Sequence, residues 1–317
     1  MKAPNIILAG GSGFLGQLLR QHFLKQGCDV VVLTRSPRQM NGNSRECFWD
    51  GRTIGEWTRE LDGADVLINL AGRSVDCRYT ARNRRLMMDS RVDSTRVLGE
   101  AIARCANPPQ VWLNSSTATI YKHNFGPAWD ESGEIGATPE ARDAFSVEIA
   151  REWERTFDAA PTPRTRKVAL RMAMVFGRGR NSVFPVLCRL ARCGLGGHMG
   201  SGRQYVSWIH EADLCRAIDW IVQHDEIVGP VNLAAPNPVT NREMMTSVRD
   251  VCGVPFGLPA AEWMLEAGAF FLRTETELII KSRRVVPGRL LATGFQFRHA
   301  QMREAMAACQ RTAAGTS

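Results

Sequence analysis

A chain of 317 residues exceeds the ~100–200 residues of a typical domain, so a main domain with a smaller companion is expected. Its 44% hydrophobic and 23% charged content is that of a globular protein with a large core, and excludes wholesale disorder. The formal charge of +8 is mostly arginine spread along the chain, densest at Arg78, Arg82, Arg84, Arg85 and Arg91, without the interleaved aromatics or module of a nucleic-acid site, so a solvated basic surface and no nucleic-acid partner are expected.

In chain order, the apolar strand Asn5–Ala9 leads into Gly10, Gly13 and Gly16, spaced G-x-x-G-x-x-G, and then into a helix over 14–26 with Phe14, Leu15, Leu18, Leu19 and Phe23 at helical spacing. A pyrophosphate needs bare backbone N–H groups and the positive end of a helix, which this strand–glycine–helix context supplies. Gly10 permits the turn, Gly13 the phosphate's approach and Gly16 the helix–strand packing; Ser12, Phe14 and Leu15 lie between and beside them as further binding positions. The β-branched run 29–33 follows and ends in Thr34-Arg35-Ser36. NAD sites carry an acidic residue near this point, whereas a guanidinium flanked by hydroxyls suits a 2′-phosphate, so NADP(H) is the expected cofactor.

Further strands are expected at 64–71, 111–115 and 167–175, and helices at about 81–105 and 143–157. Apolar strands alternating with amphipathic helices predict an α/β fold, a Rossmann doubly wound parallel sheet, with a smaller C-terminal α+β domain on the substrate side. The division expected is 1–176 for NADP(H) binding and 177–317 for the substrate side. Asp213 precedes a helix-like run and is expected to cap it. Trp263, Leu265, Phe270, Phe271 and Leu272 suit a docking helix, onto the chain's own domain or a second subunit of a homodimer. No apolar run reaches the ~18 residues of a membrane span, and residues 6–8 run into glycines rather than a signal peptide, so a cytoplasmic protein with no membrane association is expected. Nine scattered cysteines without a C-x-x-C pair predict reduced thiols and no metal.

With the glycine motif, the segments DVLINLAG (65–72), DSRVDSTRVL (89–98), NSSTATIY (114–121), LRMAMVFGRG (170–179), GSGRQYVSWIHEADL (200–214), GPVNLAAPNPVT (229–240) and RRVVPGRLLATGFQF (283–297) give a chain that resembles, over nearly its whole length, the extended and atypical short-chain dehydrogenase/reductases, in the YfcH-type epimerase branch. The resemblance implies an oxidoreductase of the nucleotide-sugar epimerase kind, acting on a small molecule. It implies that Leu70, Ala71 and Gly72 line the cofactor ribose, Asp50 contacts adenine, Ser115 and Arg171 lie along the cofactor, and Thr117 takes the place of the catalytic Ser or Thr. It makes Trp208 and His210 candidates for the substrate. It also implies an extra C-terminal module, about residues 258–306.

The superfamily's chemistry rests on Tyr-x-x-x-Lys, in which the lysine acidifies the phenol. Tyr79, Tyr121 and Tyr205 are the only tyrosines, and Asn83, Phe125 and Ile209 stand four residues beyond them. Phe145 or Ser146 occupies the tyrosine's place, and Ile149 or Ala150 the lysine's. Three functions follow as expectations: an NADP(H)-dependent oxidoreductase or epimerase with a nonstandard site using Thr117, Tyr121 or Glu148; a nonenzymatic NADP(H)-responsive binding or regulatory protein, linked in some relatives to cell division; or a structural remnant whose cofactor serves folding.

Overall fold

The computed structural model describes residues 3–38, 42–179, 182–261, 263–264 and 277–311. Leu265 and Phe270 to Leu272 of the expected docking helix lie outside them, and Trp263 is exposed.

Seven parallel strands form the central sheet: β1 (Asn5–Ala9), β2 (Asp29–Thr34), β3 (Ser44–Phe48), β4 (Val66–Asn69), β5 (Val111–Thr117), β6 (Arg166–Met172) and, after three short strands, β10 (Gly229–Leu233). The spatial order is β10-β6-β5-β4-β1-β2-β3, so the winding reverses between β1 and β4 and opens a crevice at their carboxyl ends. Both faces are covered, which is why the strands are apolar at successive positions. Ile6, Leu8, Val30, Val32, Val111 and Leu113 pack on one face under helices α1 (Phe14–Lys25) and α5 (Glu211–Gln223). Ile7, Val31, Leu33, Leu67 and Trp112 pack on the other, under α2 (Ala81–Arg104), while Phe157 of α3 (Ala144–Asp158) sits edge-on against Trp112.

The second layer of structure has a separate core. Strands β7 (Met174–Phe176) and β9 (Trp208–His210) pair in parallel, and β8 (Tyr205–Val206) pairs antiparallel with β11 (Val239–Thr240). Around them α4 (Val183–Leu190), α6 (Asn241–Cys252) and the last helix, Met302–Arg311, bury Phe184, Leu187, Trp208, Met244, Met245, Met302 and Met306. Arg178 donates to the carbonyls of Ala308 and Cys309 at 2.9 Å, holding the end of the last helix with a cation where carbonyls are otherwise unmatched. The expected boundary at 176/177 does not follow these layers, because α5 and β10, from the second half of the chain, complete the main sheet.

The C-terminal segment returns to that sheet as a strap. Ser282 donates from Oγ to Asn124 O at 2.6 Å and receives Tyr205 N at 2.9 Å. Arg283 N donates to Tyr205 O at 2.8 Å, and Trp129 N and Val286 N complete a short ladder with Arg284 O and Trp129 O at 2.7 and 2.8 Å. The strap thereby lies between the loop after β5 and the start of β8.

Candidate functional site

The crevice has a backbone end and a side-chain end. At the first, Gly10 has φ +73°, and a Cβ there would lie 2.7 Å from Ala71 Cα, so the loop after β4 lies directly on the glycine turn. A Cβ at Gly16 would overlap the Gly11 carbonyl, which is why α1 can meet β1 so closely. Gly13 differs: it caps α1 without a side-chain bond, and nothing lies within 4 Å of a Cβ built on it. The first turn of α1 has no acidic residue, so its free N–H groups face open space with their positive character intact. Ser12 is exposed beside them, Leu15 packs against the sheet, and the Phe14 ring packs against Gly177 and Gly179, which follow β7.

At the end of β2, Thr34 is buried, while Arg35 and Ser36 are exposed. Ser36 N donates to Thr34 Oγ1 at 3.4 Å, and Arg35 makes no hydrogen bond or ion pair with any described residue. Asp50 accepts from Arg52 N, Thr53 N and Thr53 Oγ1 at 2.8–2.9 Å, bonds that hold its carboxyl below the usual range against a burial cost. Both its oxygens thus shape the turn after β3. Leu70 N and Ala71 N bond Ala9 O at 2.8 Å and Asn69 Oδ1 at 3.0 Å, fixing the turn opposite the glycines, and Gly72 lies beside the Arg91 guanidinium. These residues fit a dinucleotide: bare N–H groups, room at Gly13 and an uncommitted cation one strand away.

At the side-chain end, β5 finishes in Ser115, Ser116 and Thr117. Ser115 Oγ is buried with no hydrogen-bond partner among the described residues. Thr117 Oγ1 accepts Thr119 N at 3.1 Å, leaving its own proton for a ligand. Two residues on, the strap takes hold: Lys281 Nζ donates to Thr119 O at 2.5 Å and Arg283 Nη1 to Thr119 Oγ1 at 3.3 Å. Lys281 also forms an ion pair with Asp143, both side chains almost wholly buried. Asp143 is the N-cap residue of α3, but its carboxylate accepts from Thr138 N at 2.9 Å and pairs with Lys281 instead of capping the helix. In the first turn of α3, Ser146 Oγ donates to Glu277 Oε1, which Tyr79 OH approaches at 3.5 Å. Burial pushes the Glu277 carboxyl up, with Asp143 adding to it, while the Ser146 bond, Lys281 and Arg283 oppose the rise. Burial likewise pushes the Lys281 amine down, against its bond to Asp143.

Several expected site residues stand elsewhere. Arg171 is buried in a two-pronged pair with Glu154 (2.8 and 2.9 Å) and donates to Tyr121 OH at 2.8 Å, so its donors are spent inside the fold rather than on a cofactor. Tyr121 is 1% exposed, and its hydroxyl is also bonded to Asn232 at 2.8 Å; burial pushes its pKa up, the reverse of what an acid/base needs. Glu148 is exposed on α3, two residues from Ser146 and so on a different side of the helix. Trp208 is fully buried, with Nε1 on Asn237 O at 3.0 Å, a core residue out of a substrate's reach. His210 Nδ1 caps α5 by accepting Ala212 N at 3.1 Å; burial and then His299 hold its pKa down at about 4. It is His210, therefore, and not Asp213 that caps α5. Asp213 lies inside the first turn and accepts Arg298 N and His299 N at 2.9 and 2.8 Å. Of the three catalytic candidates, Thr117 is linked to the polar cluster, through its bond to Thr119. Glu277, Lys281, Asp143 and Tyr79 were not singled out for chemistry from sequence; the signal was the strap motif that Lys281 and Ser282 directly precede.

The chain is similar to known proteins in sequence and in fold. The profile described as "NAD dependent epimerase/dehydratase family" matches residues 6–234, and that of a "Domain of unknown function (DUF1731)" matches 260–309. The chain is 29% identical over 309 residues to the epimerase family protein YfhF of Bacillus subtilis, covering 95% of this chain and 96% of that one. It is 29% identical over 305 residues to the epimerase family protein SDR39U1 of Mus musculus, covering 95% and 98%. The crystal structure of human SDR39U1 (isoform 2) with NADPH superposes with a TM-score of 0.84 at 25% identity, covering 97% of this chain and 99% of that one. No helix among the described residues is long and apolar enough to cross a membrane.

Proposed function

The chain belongs to the NAD dependent epimerase/dehydratase family, and from that premise we propose that it is an NADP(H)-dependent oxidoreductase acting on a hydroxyl or carbonyl carbon of a small molecule, with a proton-transfer site other than Tyr–Lys. The observation that carries the cofactor choice is Arg35: exposed, uncommitted, at the end of β2, where an NAD site would carry an acid. The presence of NADPH in the structure of human SDR39U1, similar over nearly the whole chain, supports it.

Gly10 to Gly16 would hold the pyrophosphate on the α1 N–H groups, and Arg35 with Thr34 and Ser36 the 2′-phosphate. When bound, the nicotinamide supplies or accepts a hydride. Thr117 would donate its uncommitted hydroxyl proton in a hydrogen bond to the substrate oxygen and orient it; a hydroxyl alone is too weak an acid to give that proton up at neutral pH.

Fluorescence titration with NADPH and NADH tests the reading. NADPH is expected to bind about tenfold or more tighter than NADH; equal affinities, or no binding, overturn it. A screen of sugar nucleotides and small carbonyls that follows NADPH oxidation then tests the activity. Turnover slowed by Thr117→Val at unchanged NADPH affinity supports an enzyme, while binding with no turnover of any compound favours the nonenzymatic, NADP(H)-responsive alternative.

A further inference from the structure

The buried polar cluster joins three distant stretches of chain. Tyr79 comes from the loop before α2, Asp143 and Ser146 from the start of α3, and Glu277, Lys281 and Arg283 from the C-terminal segment. Burying charge costs free energy unless it is matched. The Lys281–Asp143 pair is so matched, with Thr119 O and Thr138 N as further partners. Glu277 is different: it is 8% exposed, and one oxygen takes two hydroxyl donors, Ser146 and Tyr79. Ser146 belongs to the α3 turn where the resemblance expects the phenol, and the strap that carries Glu277 is bonded to Thr119, two residues beyond Thr117.

Building on the NADP(H) reading above, we infer that Glu277 is the proton donor and acceptor of the reaction, passing the proton through the Ser146 hydroxyl. In the reducing direction the carbonyl carbon gains a hydride from NADPH. The substrate oxygen takes a proton from Ser146 Oγ, and Ser146 takes one from the Glu277 carboxyl. One Glu277 O–H bond breaks, one alcohol O–H bond forms, and NADP+ leaves as the oxidised product; a solvent proton restores Glu277. Oxidation runs the same path backwards, with NADP+ as the oxidant and Glu277 as the base. Burial favours the protonated carboxyl that reduction needs, and Lys281 and Arg283 nearby keep the carboxylate attainable. Lys281 and Asp143 are positioning residues: they fix the segment against α3 and Thr119. The C-terminal module therefore completes the reaction centre rather than decorating it.

The test uses the full chain and no substrate. Glu277, if it faces the ring, loses its proton more readily when that ring is the cation of NADP+ than when it is neutral NADPH. Calorimetric titrations with each dinucleotide, in buffers of different ionisation heat between about pH 5 and pH 8, count the protons released. Both dinucleotides carry the 2′-phosphate, so wild type is expected to release more protons on binding NADP+ than NADPH, and Glu277→Gln to bind both with that difference cut to about a tenth. Ser146→Ala removes a bond that lowers the Glu277 pKa, so its release should shift to higher pH; this keeps the test open should the Gln variant fail to fold. Equal release with the two dinucleotides in wild type, or a difference unchanged in Glu277→Gln or unshifted in pH in Ser146→Ala, overturns the inference. A flat titration with both dinucleotides overturns the cofactor reading itself, a separate result.

Discussion

The two ends of the crevice are made of different materials. Around Gly13 the structure offers space and backbone, with nothing within 4 Å of a would-be Cβ; around Ser146 it offers charge and hydroxyls packed out of water. The first end works by leaving atoms out, so it should tolerate changes in pH and fail on any added side chain. The second works by matching charges at low dielectric, so it should fail on any unmatched deletion and respond to pH. A single crevice can therefore be attacked in two ways that ought not to resemble each other.

The largest expected effect is at the Lys281–Asp143 pair. Lys281→Met strands a buried carboxylate and should cost about 3–5 kcal/mol of unfolding free energy by urea titration, while the double variant with Asp143→Leu should regain most of it. A loss under about 1 kcal/mol would mean water reaches the pair and the contrast is overdrawn. Next comes Gly13→Val, which should leave the urea midpoint nearly unchanged yet weaken NADPH by about a hundredfold or more, since its side chain enters the phosphate's space. The same substitution at Gly16 should instead lower the urea midpoint, because that Cβ meets backbone.

Arg35→Ala should be milder. Loss of a charge-assisted phosphate contact of ~1.5–3 kcal/mol weakens NADPH about 10- to 150-fold and spares NADH; equal losses would take Arg35 out of the phosphate's reach. The smallest effect is a slope. The folded Glu277 pKa lies above its unfolded value, so the folded state holds the extra proton. The stability it contributes is full below the unfolded pKa and fades as pH rises through the folded one. Glu277→Gln should remove that decline from a plot of unfolding free energy against pH, and an unchanged slope would place its source elsewhere.

Legibility followed the same division. The glycine loop and Arg35 lie within about thirty residues, and their meaning depends on backbone conformations that local sequence dictates, so the strand–loop–helix was readable. The helix at 143–157 was placed within one residue of α3, because Phe145, Ile149, Trp153 and Phe157 repeat at helical spacing. Strand β3 carries no such pattern of its own: at the sheet edge, Arg45 and Glu46 break its apolar run. Asp213 reads as a cap on its own and becomes a clamp for Arg298 and His299 only once the chain has folded back. The Glu277–Ser146 contact spans 131 positions and Lys281–Thr119 spans 162. No local pattern encodes such meetings; tertiary packing creates them.

The strap also imposes an order in time. Chains are made from the N-terminus, and folding can begin on what has already emerged. The glycine loop, Arg35 and the β4 turn are all in place by residue 72, and Thr117 and Ser146 soon after, but Lys281 and Arg283 arrive only when the last helix is about to be made. The residues of the glycine end are thus synthesised long before the segment that closes on Thr119. Synthesis itself withholds that corner of the molecule until nearly everything else has been built.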